Sequence, residues 1–249
     1  MKGIFTKLAI GNFDILRAAK VQLISHRYAP IPICIISLQD PEKNIFQDVP
    51  KNASISIETG YRGGDTLSWN GYVKLLDRIE DKTIVYGQGV EKCLEKRLSQ
   101  VWLNESPENI VKQIFFQTGL AVGKIQATNL VFPKFIAKSQ TLWELLNQCL
   151  ETLKEYSIDT SRWSYWLGQD GFNWGTHDEP SEEIEILSGD NLISSSEKEI
   201  HALLLPGLKT SQCFKVIEKN SEKKFRAIRV IHEISEIART YITTEAADG

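Results

Sequence analysis

The sequence lacks a long hydrophobic run and lacks an excess of positive charge. Its densest apolar stretch, residues 31–38, is strand-length and contains a proline, whereas a membrane helix needs roughly 18 consecutive apolar residues. The chain has 29 Lys and Arg against 32 Asp and Glu, which gives a formal net charge of −3. We therefore predict no membrane insertion, and the whole-chain charge offers no general attraction to nucleic acid.

Cysteine motifs and a secretion signal are also missing. Cys34, Cys93, Cys149 and Cys213 lie far apart and never form CxxC, which disfavours a thiolate zinc site or a redox pair. We expect four buried free thiols. Residues 1–14 have no apolar segment followed by a cleavage site, so we expect the chain to stay in the cytoplasm where it is made.

No catalytic motif accompanies the four histidines. HExxH, GxSxG, GxGxxG and a Walker loop are all absent. The nearest cluster, His177-Asp178-Glu179, is typical of a solvated loop, and Tyr61 to Asp65 favours a hairpin turn over a phosphate cradle. The sequence therefore predicts no catalytic, cofactor-binding or metal-binding residue, and no cofactor.

The first ninety residues have the pattern of β structure. Short β-branched or aromatic runs are separated by turn clusters, and residues 53–59 alternate apolar with polar. Arg62-Gly-Gly-Asp65 predicts a hairpin, and Gly71 predicts a bulge or bend. The candidate strands are 19–25, 33–38, 53–59, 66–76 and 83–87.

The middle of the chain changes to helical spacing. Residues 90–103 are predicted as a helix, Ser106 and Pro107 begin a clearer one that ends at Gly119, and Thr141 with Glu144 forms a capping-box signature for a third. From Ser161 the pattern returns to short strands, at 161–167, 172–174, 201–205, 212–218 and 225–233. Residues 243–249 are predicted to fray, and no tandem repeat is visible.

Aromatic side chains concentrate between residues 163 and 174. The cluster is Trp163, Tyr165, Trp166, Phe172 and Trp174. Aromatic residues on a β surface can stack on sugars, so a carbohydrate-binding module is an alternative function. A strand would place Trp163 and Tyr165 on one face and Trp166 on the other, so we expect part of the cluster to be core.

Several segments resemble, in order, the baseplate hub proteins of phage tails. This family includes late control protein D, Mu-like tail hubs and the hub part of type VI secretion spikes. The resemblance is carried by residues 52–65 with 67–75, and more weakly by 139–146, 166–172, 203–208 and 225–232. It covers about residues 20 to 235.

The resemblance implies a mainly β fold with an α/β insertion. We expect a first β-barrel, tube-like domain at 1–90, a middle α/β domain at 91–175, and a second β-barrel, tube-like domain at 176–249. Three chains would form a homotrimer with six similar barrels, on which a sixfold tail tube and a threefold spike can both dock. The central channel would pass DNA without specific binding or retain tape-measure protein.

The resemblance further implies a virion structural protein of the tail tip or baseplate, assembled in the bacterial host cytoplasm, and not an enzyme. Its partners would be a tail tube or distal tail protein, a spike or tip protein, and tape-measure protein. Two alternatives stay open at this stage: a sugar-binding module that uses the aromatic cluster, and a small hydrolase without a recognisable motif.

Overall fold

A computed structural model describes residues 3–16, 19–168, 170–176, 184–219 and 221–246. The fold is mainly β with few helices, in agreement with the sequence prediction. The helices are α1 (Asn44–Asp48), α2 (Pro107–Phe116) and α3 (Leu142–Glu155), with a 3₁₀ turn at Val90–Glu95. The strands are β1 (Ile4–Ile10), β2 (Phe13–Asp14), β3 (Ala19–His26), β4 (Ala29–Gln39), β5 (Ser54–Tyr61), β6 (Thr66–Ile79), β7 (Lys82–Gly89), β8 (Arg97–Glu105), β9 (Val122–Ile125), β10 (Phe132–Thr141), β11 (Trp163–Gly168), β12 (Gly171–Thr176), β13 (Ile184–Leu187), β14 (Leu192–Ser195), β15 (Glu199–Leu203), β16 (Cys213–Glu218), β17 (Ser221–Ile234) and β18 (Arg239–Ala246).

The chain divides into two compact units. Residues 1–90 and 179–249 form the first, which we call the β unit, and residues 91–178 form the second, which we call the middle unit. The β unit contains one 13-stranded sheet. Both ends of the chain therefore contribute strands to the same sheet, joined where β3 pairs with β17.

The β unit contains the same strand order twice. We call β1 and β3–β7 the N-terminal repeat, and β13–β18 the C-terminal repeat. When the six strands of each repeat are numbered along the chain, both lie side by side in the order 1-4-5-6-3-2. The one difference in direction is that β1 pairs antiparallel with β5, whereas β13 pairs parallel with β16.

The register of the two repeats also matches. The fifth strand of each has an irregularity, between Val73 and Leu75 in β6 and between Ala227 and Arg229 in β17. When these positions are aligned, Thr83 and Thr240 occupy equivalent places in the sixth strand, and both are fully buried. The match therefore extends from the order of the strands to individual buried positions.

Each equivalent threonine holds the loop that follows the third strand of its repeat. The Thr83 hydroxyl donates to Asp40 Oδ2 at 2.8 Å, and Asp40 also accepts the Ile45 amide N–H of α1. The Thr240 hydroxyl oxygen accepts the Leu205 amide N–H at 2.9 Å. In both repeats the sixth strand is thus hydrogen-bonded to the loop that follows the third strand.

Each repeat has its own apolar core, because every second residue of its strands points to the same face of the sheet. The core of the N-terminal repeat consists of Leu8, Ile10, Val21, Leu23, Cys34, Ile36, Leu38, Ile45, Val49, Ile55, Ile57, Val73 and Val85, with Ile234. The core of the C-terminal repeat consists of Ile186, Ile200, Ala202, Leu208, Phe214, Val216, Phe225, Ala227, Val230 and Ile242.

The N-terminal repeat has a gap between its first and second strands. The described residues of β1 and β3 share no ladder, and a groove of about 440 Å³ lies there, lined in part by Thr6, Leu8 and Val21. Closure of each repeat into a barrel therefore stays a prediction.

The strand irregularity that was predicted at Gly71 lies elsewhere. Gly71 pairs regularly with Ile55 and Gly89, and the register shifts three residues later, beside Lys74. Gly71 has a different role, because a Cβ there would lie 2.3 Å from the Gln88 carbonyl oxygen and 2.5 Å from the Trp69 ring. Close approach of a strand and an indole explains this glycine.

The middle unit packs two helices with two small sheets. One sheet pairs β8 with β10, and the other has the order β11-β12-β9. Helix α2 begins at the Ser106 cap and α3 at a complete capping box formed by Thr141 and Glu144, as the sequence predicted. The apolar faces of α2 and α3 join the buried aromatic residues of this unit in one core.

Two further predictions for the secondary structure were wrong. Residues 90–103 form a 3₁₀ turn followed by strand β8, not a helix. The predicted frayed tail from Thr243 is ordered through Ala246, because β18 pairs on both sides, with β15 and with β17. Residues 247–249 lie outside the described residues.

Candidate assembly surface

The described residues contain no obvious chemical centre. None of their His, Cys, Asp and Glu side chains form a group of three or more that could hold a metal ion. The cysteines are free, and burial raises the pKa of the Cys34 thiol to about 12. A thiol that stays protonated at neutral pH is a poor nucleophile. The His177-Asp178-Glu179 cluster lies outside the described residues.

None of the helices in the described ranges is long and apolar enough to cross a membrane. The Tyr61 to Asp65 segment forms the turn that joins β5 to β6, as predicted. The Tyr61 hydroxyl donates to the Leu204 carbonyl at 2.9 Å, which links the two repeats. This segment is thus a structural turn.

Four residues of the aromatic cluster belong to the core of the middle unit, whereas Trp166 is half-buried and lies outside that core. Trp163 and Trp174 are 8% and 1% exposed, and their rings meet edge to face at 4.9 Å. Phe172 stacks on Phe115 of α2 at 5.0 Å, and the Tyr165 hydroxyl lies 3.3 Å from Asn147 Oδ1. Rings buried in this way offer no platform for a sugar, so the carbohydrate-binding alternative is not favoured.

The two repeats of the β unit are joined by pairing between an edge strand of one repeat and a long strand of the other. Strand β3 of the N-terminal repeat pairs antiparallel with residues 229–234 of β17 in the C-terminal repeat, and we call this ladder the internal joint. The joint uses the part of β17 that extends past β16, which pairs only with residues 221–226. Strand β17 thus pairs with β16 and β18 of its own repeat and also with the edge strand β3 of the other repeat.

Charged side chains reinforce the internal joint. Gln22 Nε2 donates to Glu233 Oε2 at 2.8 Å, and Lys20 Nζ lies 3.0 Å from the same oxygen. Burial alone would raise the pKa of Glu233, but the hydrogen bonds from Gln22 and Lys20 outweigh it and hold the pKa below its usual value. The Glu233 carboxylate is therefore kept charged by side chains of the other repeat.

A second ion pair lies at the other end of the joint. Arg27 Nη1 lies 2.8 Å from Glu245 Oε1, and Arg226 Nε lies 3.7 Å from the same atom. The Arg27 side chain is only 7% exposed, and its amide N–H donates to the Ile228 carbonyl at 2.8 Å. Loss of the partly exposed Glu245 would be costly, because it would leave the buried Arg27 charge without this partner.

A buried histidine lies in the middle of the joint. His232 pairs with Leu23 in the ladder, its Nδ1 lies 3.1 Å from Thr240 Oγ1, and its ring also bonds the Leu208 backbone. Because the Thr240 oxygen accepts the Leu205 amide, its own proton is free to be donated to Nδ1. Burial lowers the pKa of His232 to about 4, so the ring is neutral at pH 7.

Two of the open strand edges in the described part of the β unit carry apolar side chains that are about half exposed. Strand β5 pairs with residues 66–72 of β6, and no strand of the described residues pairs with 75–79 on that side. Leu75 and Ile79 are 48% and 55% exposed there. Strand β14 pairs with β15 alone, apart from one bridge at Leu192, and its Ile193 is 48% exposed. Open edges with apolar residues are typical of surfaces that assemble.

No family model and no curated protein matches this chain. Solved structures do share its fold. The prophage MuSo2 43 kDa tail protein from Shewanella oneidensis matches with a TM-score of 0.69 and 9% identity, over 99% of this chain and 97% of that one. A tail protein from Neisseria meningitidis MC58 matches with a TM-score of 0.68 and 10% identity, over 98% of this chain and 96% of that one.

A third similar structure comes from a secretion machine. The E. coli c3393 protein, a component of the type VI secretion system described as similar to the T4 tail proteins gp27 and gp5, matches with a TM-score of 0.65. The identity is 10%, over 97% of this chain and 77% of that one. The chain therefore has the fold of phage tail and type VI secretion proteins, and the resemblance to the tail hub family is confirmed at the level of the fold.

Proposed function

We propose that this chain is a structural hub subunit of a phage or phage-like tail. The observation that carries the proposal is the strand order that occurs twice in the β unit, within a fold shared with tail proteins over nearly the whole chain. A protein with two similar β repeats can present six similar surfaces from three copies. A structural role without catalysis fits the tail proteins that share the fold.

The proposed assembly is a homotrimeric ring at the tail tip or baseplate. The repeats at 1–90 and 176–249 act as two tube-like barrel domains, and the middle domain at 91–175 decorates the outside. One face of the ring meets a sixfold tail tube or distal tail protein, and the other meets a threefold spike or tip protein. The channel passes DNA or retains tape-measure protein.

Native mass spectrometry of the full chain, followed by electron microscopy of assembled tails, tests the proposal. We expect three copies per ring, with roughly 1,200 Å² or more buried at each contact. In the tail the protein should lie at the tip between tube and spike, after assembly in the host cytoplasm. A dimer, a tetramer or a position away from the tail tip would contradict the proposal.

A further inference from the structure

The two-stranded sheet of the middle unit has one face in the core and one face in solvent. Trp102 of β8 and Phe135 of β10 are buried in the core of this unit. Because successive side chains of a strand alternate, Val101 and Leu103 point the other way, and they are 54% and 65% exposed. Ile136 pairs with Val101 in the ladder and lies outside the core. These three aliphatic side chains form what we call the outer patch.

Two lysines border the outer patch. Lys134 pairs with Leu103 in the ladder, and Lys138 lies at the register shift of β10. Both side chains are exposed, and the ion pairs of the described residues include neither of them. The outer patch is therefore apolar with a positively charged border, although the whole chain has a net charge of −3.

The carboxylates at the two ends of this sheet are engaged elsewhere. Glu105, the last residue of β8, accepts the Ser106 amide N–H at the start of α2. Glu144 accepts the Thr141 amide N–H in the capping box of α3 and also lies near Arg97 at the start of β8. Neither carboxylate therefore neutralises the two lysines of the outer patch.

The outer patch is bordered on one side by a free strand edge. Of the described strands, only β10 pairs with β8. The far side of β10 lies against α3, where Gln148 Nε2 donates to the Ile136 carbonyl at 3.5 Å. On the far side of β8, no backbone hydrogen bond of residues 97–105 is described. Since an antiparallel strand directs alternate N–H and C=O groups to each side, β8 offers a row of these groups for a further strand.

We infer that the free edge of β8 accepts an extended segment of another protein that carries both apolar side chains and carboxylates. The added strand pairs with β8 through its backbone, which supplies affinity without regard to sequence. Its apolar side chains lie beside Val101 and Leu103, and its carboxylates lie within reach of Lys134 and Lys138. The inference concerns the middle unit and does not depend on the proposed ring.

The charge at the outer patch favours an acidic partner over a second copy of this chain. Antiparallel pairing between the β8 strands of two copies would bring two outer patches together, with four lysines on one face. Like charges on neighbouring strands are destabilising, and lysines beside an open edge are a known device against self-pairing. An acidic segment makes the same apolar contacts, and its charges attract the lysines.

The first experiment measures binding of a model peptide to the full chain. The probe is a fluorescein-labelled peptide with the sequence Glu-Thr-Val-Thr-Val-Thr-Glu and blocked ends, which as a strand has its Glu and Val side chains on one face. We expect a saturable rise in anisotropy that weakens as salt is added, and much weaker binding of the same peptide with Lys in place of Glu. No saturable binding of the acidic peptide, or equal binding of the two peptides, would overturn the inference.

Variants of the outer patch test its charges and its apolar surface separately. Lys134→Glu with Lys138→Glu should weaken binding of the acidic peptide roughly tenfold and strengthen binding of the Lys peptide, because the signs are exchanged. Leu103→Ser should weaken binding of both peptides. Lys112→Glu and Phe116→Ser are the matched controls, since both residues are exposed on α2 outside the outer patch. Losses of equal size in the controls would count against this site, and thermal melting confirms that each variant is folded.

Hydrogen–deuterium exchange distinguishes strand addition from simple ionic attraction. With the acidic peptide bound, the amides of β8 should exchange more slowly, whereas those of α2 should be unchanged. Binding without protection of β8 would overturn the strand pairing that we infer.

Two further measurements test the other occupants of the free edge. Sedimentation of the full chain should show no concentration-dependent association that Leu103→Ser abolishes. The chain should also fail to float with phosphatidylserine vesicles at physiological salt. Self-association through Leu103, or vesicle binding in place of peptide binding, would assign the outer patch to a second copy or to a membrane surface and so overturn the inference.

Discussion

At the scale of single residues, the most informative group is a buried histidine. His232 is neutral, accepts a hydrogen bond on one ring nitrogen and lies inside the internal joint. Its ordinary pKa is 6.5 and burial lowers the pKa to about 4. The unfolded chain therefore takes up the proton first as the pH falls. The stability that depends on the neutral ring is complete above pH 6.5 and is lost progressively towards pH 4.

We expect the free energy of unfolding to fall by about 2 kcal/mol between pH 7 and pH 5 because of His232. Urea titrations at the two pH values measure it. His232→Gln cannot titrate and should lose most of this difference, whereas His201→Gln, on the outer face against Tyr241, should keep it. An equal pH dependence in wild type and His232→Gln would show that the ring does not control it. Staying at pH 5 or above limits the contribution of Glu233, because the stability that comes from its lowered pKa is lost mainly at more acidic pH.

Gly71 provides a second prediction at this scale. An added methyl group would meet a backbone oxygen and an indole, so strand β6 must move away from β7. We expect Gly71→Ala to destabilise the protein by about 2 kcal/mol. Gly207, around which nothing lies within 4 Å, is the control, and Gly207→Ala should change stability by less than about 0.5 kcal/mol. Equal melting temperatures for the two variants would contradict the packing argument.

At the scale of elements, helix ends were predictable from sequence because their signals are local. The Thr141 hydroxyl accepts the Glu144 amide N–H at 3.3 Å, and Glu144 Oε2 accepts the Thr141 N–H at 2.7 Å. Each partner is three residues from the other, so the pattern is visible before any tertiary structure exists. The Ser106 cap of α2 was predicted for the same reason.

The capping box gives a testable prediction for α3. Thr141→Ala removes the oxygen that accepts the Glu144 amide and should cost about 1 kcal/mol of stability. Thr141→Ser retains that oxygen and should cost much less. Denaturant unfolding of the two variants gives the comparison, and a serine variant as unstable as the alanine variant would mean that the methyl group, not the cap, carries the effect.

Strand assignments failed where the partner lies far away in sequence. The predicted helix at 90–103 is wrong from Arg97 onward, because β8 pairs with β10 about thirty residues later and that contact overrides local spacing. Strand β18 was not predicted at all for a similar reason, since it is held by β15 and β17. The internal joint, where β3 meets β17, could not be predicted from either segment alone.

At the scale of the whole molecule, the two repeats share their strand order but show no repeat in the sequence. The two repeats share buried positions such as Val85 and Ile242, which are both apolar but differ in side chain. Their equivalent surface positions differ in chemistry, as Ile79 and Glu233 show. A common architecture requires apolar side chains at the buried positions but does not require the same side chain at each of them. The hub interpretation could therefore be made from the order of motifs along the sequence. The repeat became visible only from the pairing of the strands in the structure.

The last prediction concerns DNA and follows from the charge of the proposed channel. Duplex DNA carries one negative charge per roughly 1.7 Å of its axis, so a basic wall would hold it through counterion release and slow its passage. A chain with net charge −3 allows a channel of acidic and neutral polar residues, which lets DNA slide. We expect the purified protein to show no measurable DNA binding near physiological salt by fluorescence anisotropy, with a basic DNA-binding protein as positive control. Micromolar, salt-sensitive binding would contradict a passive conduit, because only fixed positive charge along the path would produce it.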